Sequence, residues 1–203
     1  MRLASGVLTS VAVGLALGAA TSLVNQVPGL LGEVGQAHTE DSAVTWAAIF
    51  VSLILDSGWA WAALGFALGW IAVSPLVGAL MGVVGLSAAT VAYYSVDLLF
   101  DIDAYWSAVG FWLVRAVVLG LPLGVAGALA RRPGVVGLLA ALTVPVGAAL
   151  NMVVLPVRNG LPGESSAAGW AELTVWVAAS GGAALVLVRF WRRSRPRSAV
   201  AAS

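Results

Sequence analysis

Residues 75–106 read PLVGALMGVVGLSAATVAYYSVDLLFDIDAYW, and this stretch decides the fold. From Pro75 to Ser95 there is no charged residue, and an apolar run of about 20 residues is what an α-helix needs to cross the hydrocarbon core of a bilayer. Asp97, Asp101 and Asp103 then follow at once, so the helix leaves the apolar layer at an acidic, aromatic-rich edge. Working outward, comparable apolar segments lie near 4–24, 57–73, 107–130, 134–155 and 168–190.

The whole composition agrees with this reading. The chain has 203 residues, 61% hydrophobic and 9% charged, with a mean hydropathy of +0.99. Soluble domains carry roughly 25% charged residues. So few charges cannot cover a water-facing surface of this size, and the expected solvent is lipid. The expected fold is therefore all-α: a single domain, 1–203, forming a polytopic transmembrane helical bundle of about six spans.

Charge sets the expected orientation. Glu33, Glu40, Asp41, Asp56, Asp97, Asp101, Asp103, Glu164 and Glu172 fall in or beside every second connection. Arg2, Arg131, Arg132, Arg189, Arg192, Arg193, Arg195 and Arg197 fall in the alternate connections and at the ends. Basic loops stay cytoplasmic, so both termini are expected in the cytoplasm, with residues 189–203 as a basic tail and the location a cell membrane. The tail reads as a stop-transfer anchor, with binding to anionic lipid as a second use. The first apolar run after Arg2 has the look of a signal peptide, but its length and the spans that follow favour a retained helix.

One segment breaks the regularity. Residues 43–55 are apolar and contain Trp46 but are too short to span. They form either an interfacial helix or the start of one long tilted helix. Asp56-Ser57-Gly58 favours a break, because Asp and Ser cap helices and Gly interrupts them. The pairs Gly14/Gly18, Gly65/Gly69, Gly78/Gly82 and Gly120/Gly124 are small-xxx-small patterns, which predict glycine-packed helices. Pro122 and Pro145 inside spans predict kinks. No internal repeat is evident.

Several chemistries are excluded. Cysteine is absent, which removes disulfides, thiolate catalysis and Cys-ligated metal. Lysine is absent, which removes Schiff-base chemistry. A net charge of +1 offers nothing to nucleic acid. The single histidine, His38, lies in a polar loop and is read as solvated. No metal and no cofactor is expected: the Asp-x-x-x-Asp and Asp-x-Asp spacings are a weak Mg²⁺ signal, and no basic cluster accompanies them to grip a diphosphate.

The candidate chemistry lies at the acidic end. Trp46, Trp59, Trp61, Trp106, Trp112, Trp170 and Trp176 fall at that end of their spans, against Trp70 and Trp191 at the other. An ordinary aromatic belt serves both interfaces, so the excess points to a pocket lining. On a continued helix Tyr93, Asp97 and Asp101 stack at i, i+4 and i+8. Two carboxylates this close favour retention of one proton, which is what general-acid catalysis requires; an acidic solvated loop is the plainer reading of the same residues. Asp97, Asp101, Asp56 and Glu172 are the candidate acids, and Tyr93, Tyr94, Trp59, Trp106, Trp112, Trp176, Arg115 and Asn151 the candidate substrate contacts. Arg115, well inside its span, is expected to be buried and paired with Asp97 or Asp101.

The small first span, the Trp-containing second span and Ala92-Tyr93-Tyr94 after the third resemble a set of uncharacterised actinobacterial membrane proteins of about this length. In size and hydropathy the chain also resembles the membrane-integrated terpene cyclases of indole-sesquiterpene and meroterpenoid pathways. That resemblance implies an all-helical enzyme in which intramembrane acids protonate an alkene or epoxide and aromatic rings stabilise the cations. It implies membrane lipid and a hydrophobic small molecule as partners, and carries no individual catalytic residue over. A transporter or permease subunit for a small apolar or cationic solute is the first alternative, and a non-catalytic membrane scaffold the second. The oligomeric state stays open.

Overall fold

The computed structural model describes residues 3–30, 43–100, 106–154 and 166–194. They form seven α-helices, with no strand among them: α1 Leu3–Leu30, α2 Ala43–Leu55, α3 Gly58–Ile71, α4 Pro75–Leu99, α5 Trp106–Leu129, α6 Val135–Val154 and α7 Ser166–Ser194. Five of these, α1, α4, α5, α6 and α7, are long and apolar enough to cross a membrane, and the bent pair α2 and α3 makes a sixth if it is one broken span rather than a re-entrant loop. The boundaries sit close to the segments expected from hydropathy. Two extensions matter: α1 runs on past residue 24, and α4 runs through Asp97.

The break at Asp56 is present. α2 and α3 meet at a bend of 56°. The Asp56 N–H still closes the last turn of α2 onto Ser52 O, at 2.8 Å. Ser57 Oγ donates to the Ile54 carbonyl at 2.8 Å, and Ser57 stands as the extended N-cap residue of α3. With 14 residues, α3 is about 21 Å long, too short for a core of about 30 Å. At this bend α2 contributes about 11 Å along the same direction, so the pair taken as one span has the length required.

Short turns make the neighbours antiparallel. Ser74 caps α4, its Oγ accepting from Val77 N at 3.3 Å, and Pro75 takes the first helical position, where no N–H is needed. Gly134, at φ +86°, supplies the left-handed residue that turns the chain into α6. Arg131, from the α5–α6 connection, donates to the Ala72 carbonyl at the end of α3, so both short turns lie at one end of the bundle. α5 and α6 continue through Pro122 and Pro145.

α4 is central and packs against α1, α3 and α5, whereas among the described helices α7 touches only α2 and α6. Several glycines leave no room for a side chain against the facing helix. A Cβ placed on Gly69 would lie 2.0 Å from Gly124 O, and one on Gly18 would lie 2.0 Å from Ala89 O. The core between α3, α4 and α5 holds Leu64, Leu68, Met81, Leu86, Ala89 and Ala116. Large apolar side chains instead cover the outside: Leu76 is 84% exposed and Leu99 80%. A water-soluble fold avoids such contiguous apolar surface; a lipid-facing one requires it.

Candidate functional site

A cavity of about 300 Å³ opens between α3, α4 and α5 near the acidic end. Its walls include Asp56 at the helix break, Trp61 of α3, Tyr93 and Tyr94 of α4, and Trp112 and Arg115 of α5. Below these, Leu86 of α4 and Leu119 and Leu123 of α5 make an apolar floor. The rings touch one another: Tyr93 meets Tyr94 edge-on at 5.3 Å between centroids, and Trp61 meets Tyr93 at 6.2 Å.

Behind this wall runs a polar network from α1. Asn25 uses both amide hydrogens, one toward Tyr93 Oη at 3.0 Å and one toward Asp56 Oδ2 at 3.4 Å. Its Oδ1 accepts from Ser52 Oγ of α2. Tyr93 thus accepts from Asn25, and its own O–H is free to donate. One turn further along α4, Asp97 is buried and accepts from Ser22 Oγ at 2.6 Å and from Gln26 Nε2 at 3.3 Å. Polar groups in an apolar layer bond to one another because no water replaces them. The network ties α1, α2 and α4 together and fixes the orientation of the Tyr93 ring.

The site differs from the expectation in several places. Tyr93 and Asp97 do share one face of α4, but that face looks at α1, and Asp97 does not line the cavity. Among the described residues, Asp56 is the carboxyl that does. Asp101 lies outside the described residues, as do Glu33, Glu40, Asp41, Asp103, Tyr105, Arg158 and Glu164. Glu172 and Trp176 sit on α7, which contacts neither α3, α4 nor α5, so they are away from the cavity. Trp59 points instead into a second apolar cluster with Met152 and Val175, where its indole N–H is buried without a partner among the described residues. Trp106 is 80% exposed at the start of α5, and Asn151 of α6 lies against Gly58.

Arg115 is the clearest correction. It is exposed, and its guanidinium lies 3.7 Å from the Phe111 ring centroid and 5.0 Å from that of Trp112. It forms no ion pair or hydrogen bond with any described residue. The reason is helix geometry. Side chains lean toward the helix N-terminus, so an arginine nine residues into α5 bends back over the rings at i−4 and i−3 toward the interface. Aromatic faces thus take the place expected for Asp97, while Asp101, the other expected partner, lies outside the described residues.

Sequence reading missed Ser22, Asn25, Gln26 and Ser52. The signal was present: Ser22, Asn25 and Gln26 stand at i, i+3 and i+4, a polar stripe near the end of a mostly apolar helix. Trp61 was noted only as part of the aromatic excess. No protein-family model, curated protein or solved structure matches the chain.

Proposed function

We propose that the protein is a multi-pass cell-membrane enzyme of the terpene cyclase type, with both termini cytoplasmic, that admits a linear or aryl-linked terpenoid from lipid into the α3–α4–α5 cavity. The observation that carries this reading is one carboxyl and four aromatic rings, Asp56 with Trp61, Tyr93, Tyr94 and Trp112, around a single cavity. At about 300 Å³ it lies at the small end of ligand pockets, which suits a folded substrate better than an extended one. The orientation follows from Arg131, Arg132, Arg192 and Arg193 at one end of the bundle and Asp56 and Asp97 at the other.

In this reading Asp56, in its acid form, gives its proton to an alkene or epoxide. A C–H bond forms at an alkene, or an epoxide oxygen is protonated and its C–O bond opens. A neighbouring π bond attacks the resulting carbocation and closes a C–C ring bond. The ring faces stabilise the travelling charge by cation–π attraction. Loss of a proton to the Asp56 carboxylate restores the acid, so the net change is an isomerisation that consumes no cofactor. The sequence expectation gave the initiating proton to Asp97 or Asp101. Asp97 is here a positioning residue: it anchors Ser22 and Gln26 of α1 and so holds Asn25 against Asp56 and Tyr93.

The test is Asp56→Asn, which keeps the shape and removes the acidity. Membranes holding the wild-type chain should convert farnesylated indole or epoxyfarnesyl substrates to cyclic isomers of the same mass or with the epoxide opened to alcohol. The variant should lose this conversion at equal protein level. Wild-type turnover by Asp56→Asn overturns the role of Asp56, and no cyclic product from a broad terpenoid panel overturns the enzyme reading. One observation favours solute passage instead: the helix broken by 56° at Asp56 resembles the interrupted spans that line transport sites. Proton-coupled uptake into proteoliposomes, lost in Asp56→Asn, would be its signature.

A further inference from the structure

Among the described residues, Arg115 is the one cation outside the basic end of the bundle; Arg131, Arg132, Arg189, Arg192 and Arg193 all belong to that end. A guanidinium within a membrane-spanning helix is costly unless paired, and such residues mark binding sites. Arg115 has neither an ion pair nor a hydrogen bond to a described residue. Phe111 and Trp112 contact the group as aromatic rings, and rings accept no N–H bond of normal strength, so no described residue uses its fork of N–H donors. It also lines the cavity. One and two turns deeper on the same face of α5 come Leu119 and Leu123, which are part of the apolar floor. Charge at the mouth and an apolar slot beneath it describe one class of ligand.

We infer that Arg115 receives the anionic head of an amphiphile, a phosphate monoester or a carboxylate, whose apolar chain lies against Leu86, Leu119 and Leu123. A single arginine matches one such group bidentately. The inference deepens the proposed function by giving the substrate a charged end, and it rests on that reading only in taking the cavity as the place where the terpenoid binds. Two sources share this chemistry: an isoprenoid phosphate and an anionic bilayer lipid.

The experiment uses the full chain, purified in a nonionic detergent, with farnesyl monophosphate and farnesol as probes in calorimetric titration. Charge-assisted hydrogen bonds from one guanidinium should make the phosphate bind about tenfold or more tighter than the alcohol. Arg115→Gln should bring that ratio to about one, and Arg115→Lys should keep part of it. In nanodiscs, competition by phosphatidylglycerol and not by phosphatidylcholine assigns the head to bilayer lipid; its absence assigns it to the isoprenoid. Equal affinity of the wild type for phosphate and alcohol overturns the inference while leaving the cavity and the cyclase reading standing. A ratio that survives in Arg115→Gln overturns it in favour of another anion site. If neither probe binds the wild type, the cavity reading fails and the inference with it.

Discussion

Gly124 is the position where one added methyl group should cost most. It lies where α3, α4 and α5 meet. A Cβ there would stand 2.0 Å from the carbonyl oxygen of Gly78 and 2.6 Å from its carbonyl carbon. Both obstacles are backbone, so no rotamer change relieves them. Restoring a carbon–oxygen contact of about 3.2 Å requires α4 and α5 to separate by about 1 Å. Overpacking of this kind costs about 1–3 kcal/mol, with the upper end expected where helices must move as units. The higher helix propensity of alanine returns up to about 1 kcal/mol. Gly124→Ala should therefore lose about 2 kcal/mol. Gly147 is the control, since nothing lies within 4 Å of an added Cβ there. Gly147→Ala should be neutral or slightly stabilising. Unfolding of both variants in mixed micelles, followed by circular dichroism against a denaturing detergent, measures the difference. Equal stability of Gly124→Ala and Gly147→Ala would refute the close approach of α4 and α5 and, with it, the cavity that Tyr93, Tyr94 and Arg115 line between them.

Further outcomes are expected. Arg115→Leu should melt within about 1 kcal/mol of wild type, because the side chain is exposed and leaves no described carboxylate unpaired; a loss of several kcal/mol would mean a buried ion pair. Asp97→Leu should destabilise by about 1–3 kcal/mol, since Ser22 and Gln26 lose their acceptor, and Asp97→Asn by less, as read by the same unfolding assay. Trp59→Phe should cost under about 1 kcal/mol, because removing the orphaned indole N–H offsets the lost apolar area; a loss near 3 kcal/mol would show that the N–H has a partner. Cysteine placed at Ser42 or Ser165 should react with an impermeant maleimide in intact cells, and one at Ser203 should not; the reverse labelling would invert the proposed topology.

The helices were legible in the sequence because their cause is local. An apolar run between charged connections has one stable form in lipid, the hydrogen-bonded helix, and its length is set by the bilayer. That is why the runs beginning at Pro75 and near Ser107, Gly134 and Ala168 appear close to their expected limits, and why Asp56-Ser57-Gly58 could be read as a break. Even so, local pattern understated α1, because Asn25 and Gln26 look like an exit from the membrane; in the fold they continue the helix, since Asp56, Tyr93 and Asp97 supply the bonds that water would.

Which acid meets which ring was a different kind of question. Asp97 and Asp56 are both carboxylates beside aromatic residues in the chain, and nothing in their spacing separates them. The packing separates them: α1 lies along α4 and takes Asp97 for its serine and glutamine, while the bend between α2 and α3 turns Asp56 into the cavity. Likewise α7 docks on α2 and α6, which removes Glu172 and Trp176 from a site they share an end with. Hydropathy is a property of each residue and its near neighbours, so the sequence alone determined where helices run. Helix adjacency brings together positions tens of residues apart, such as Gly69 and Gly124, so only the tertiary structure decided which residues line the cavity.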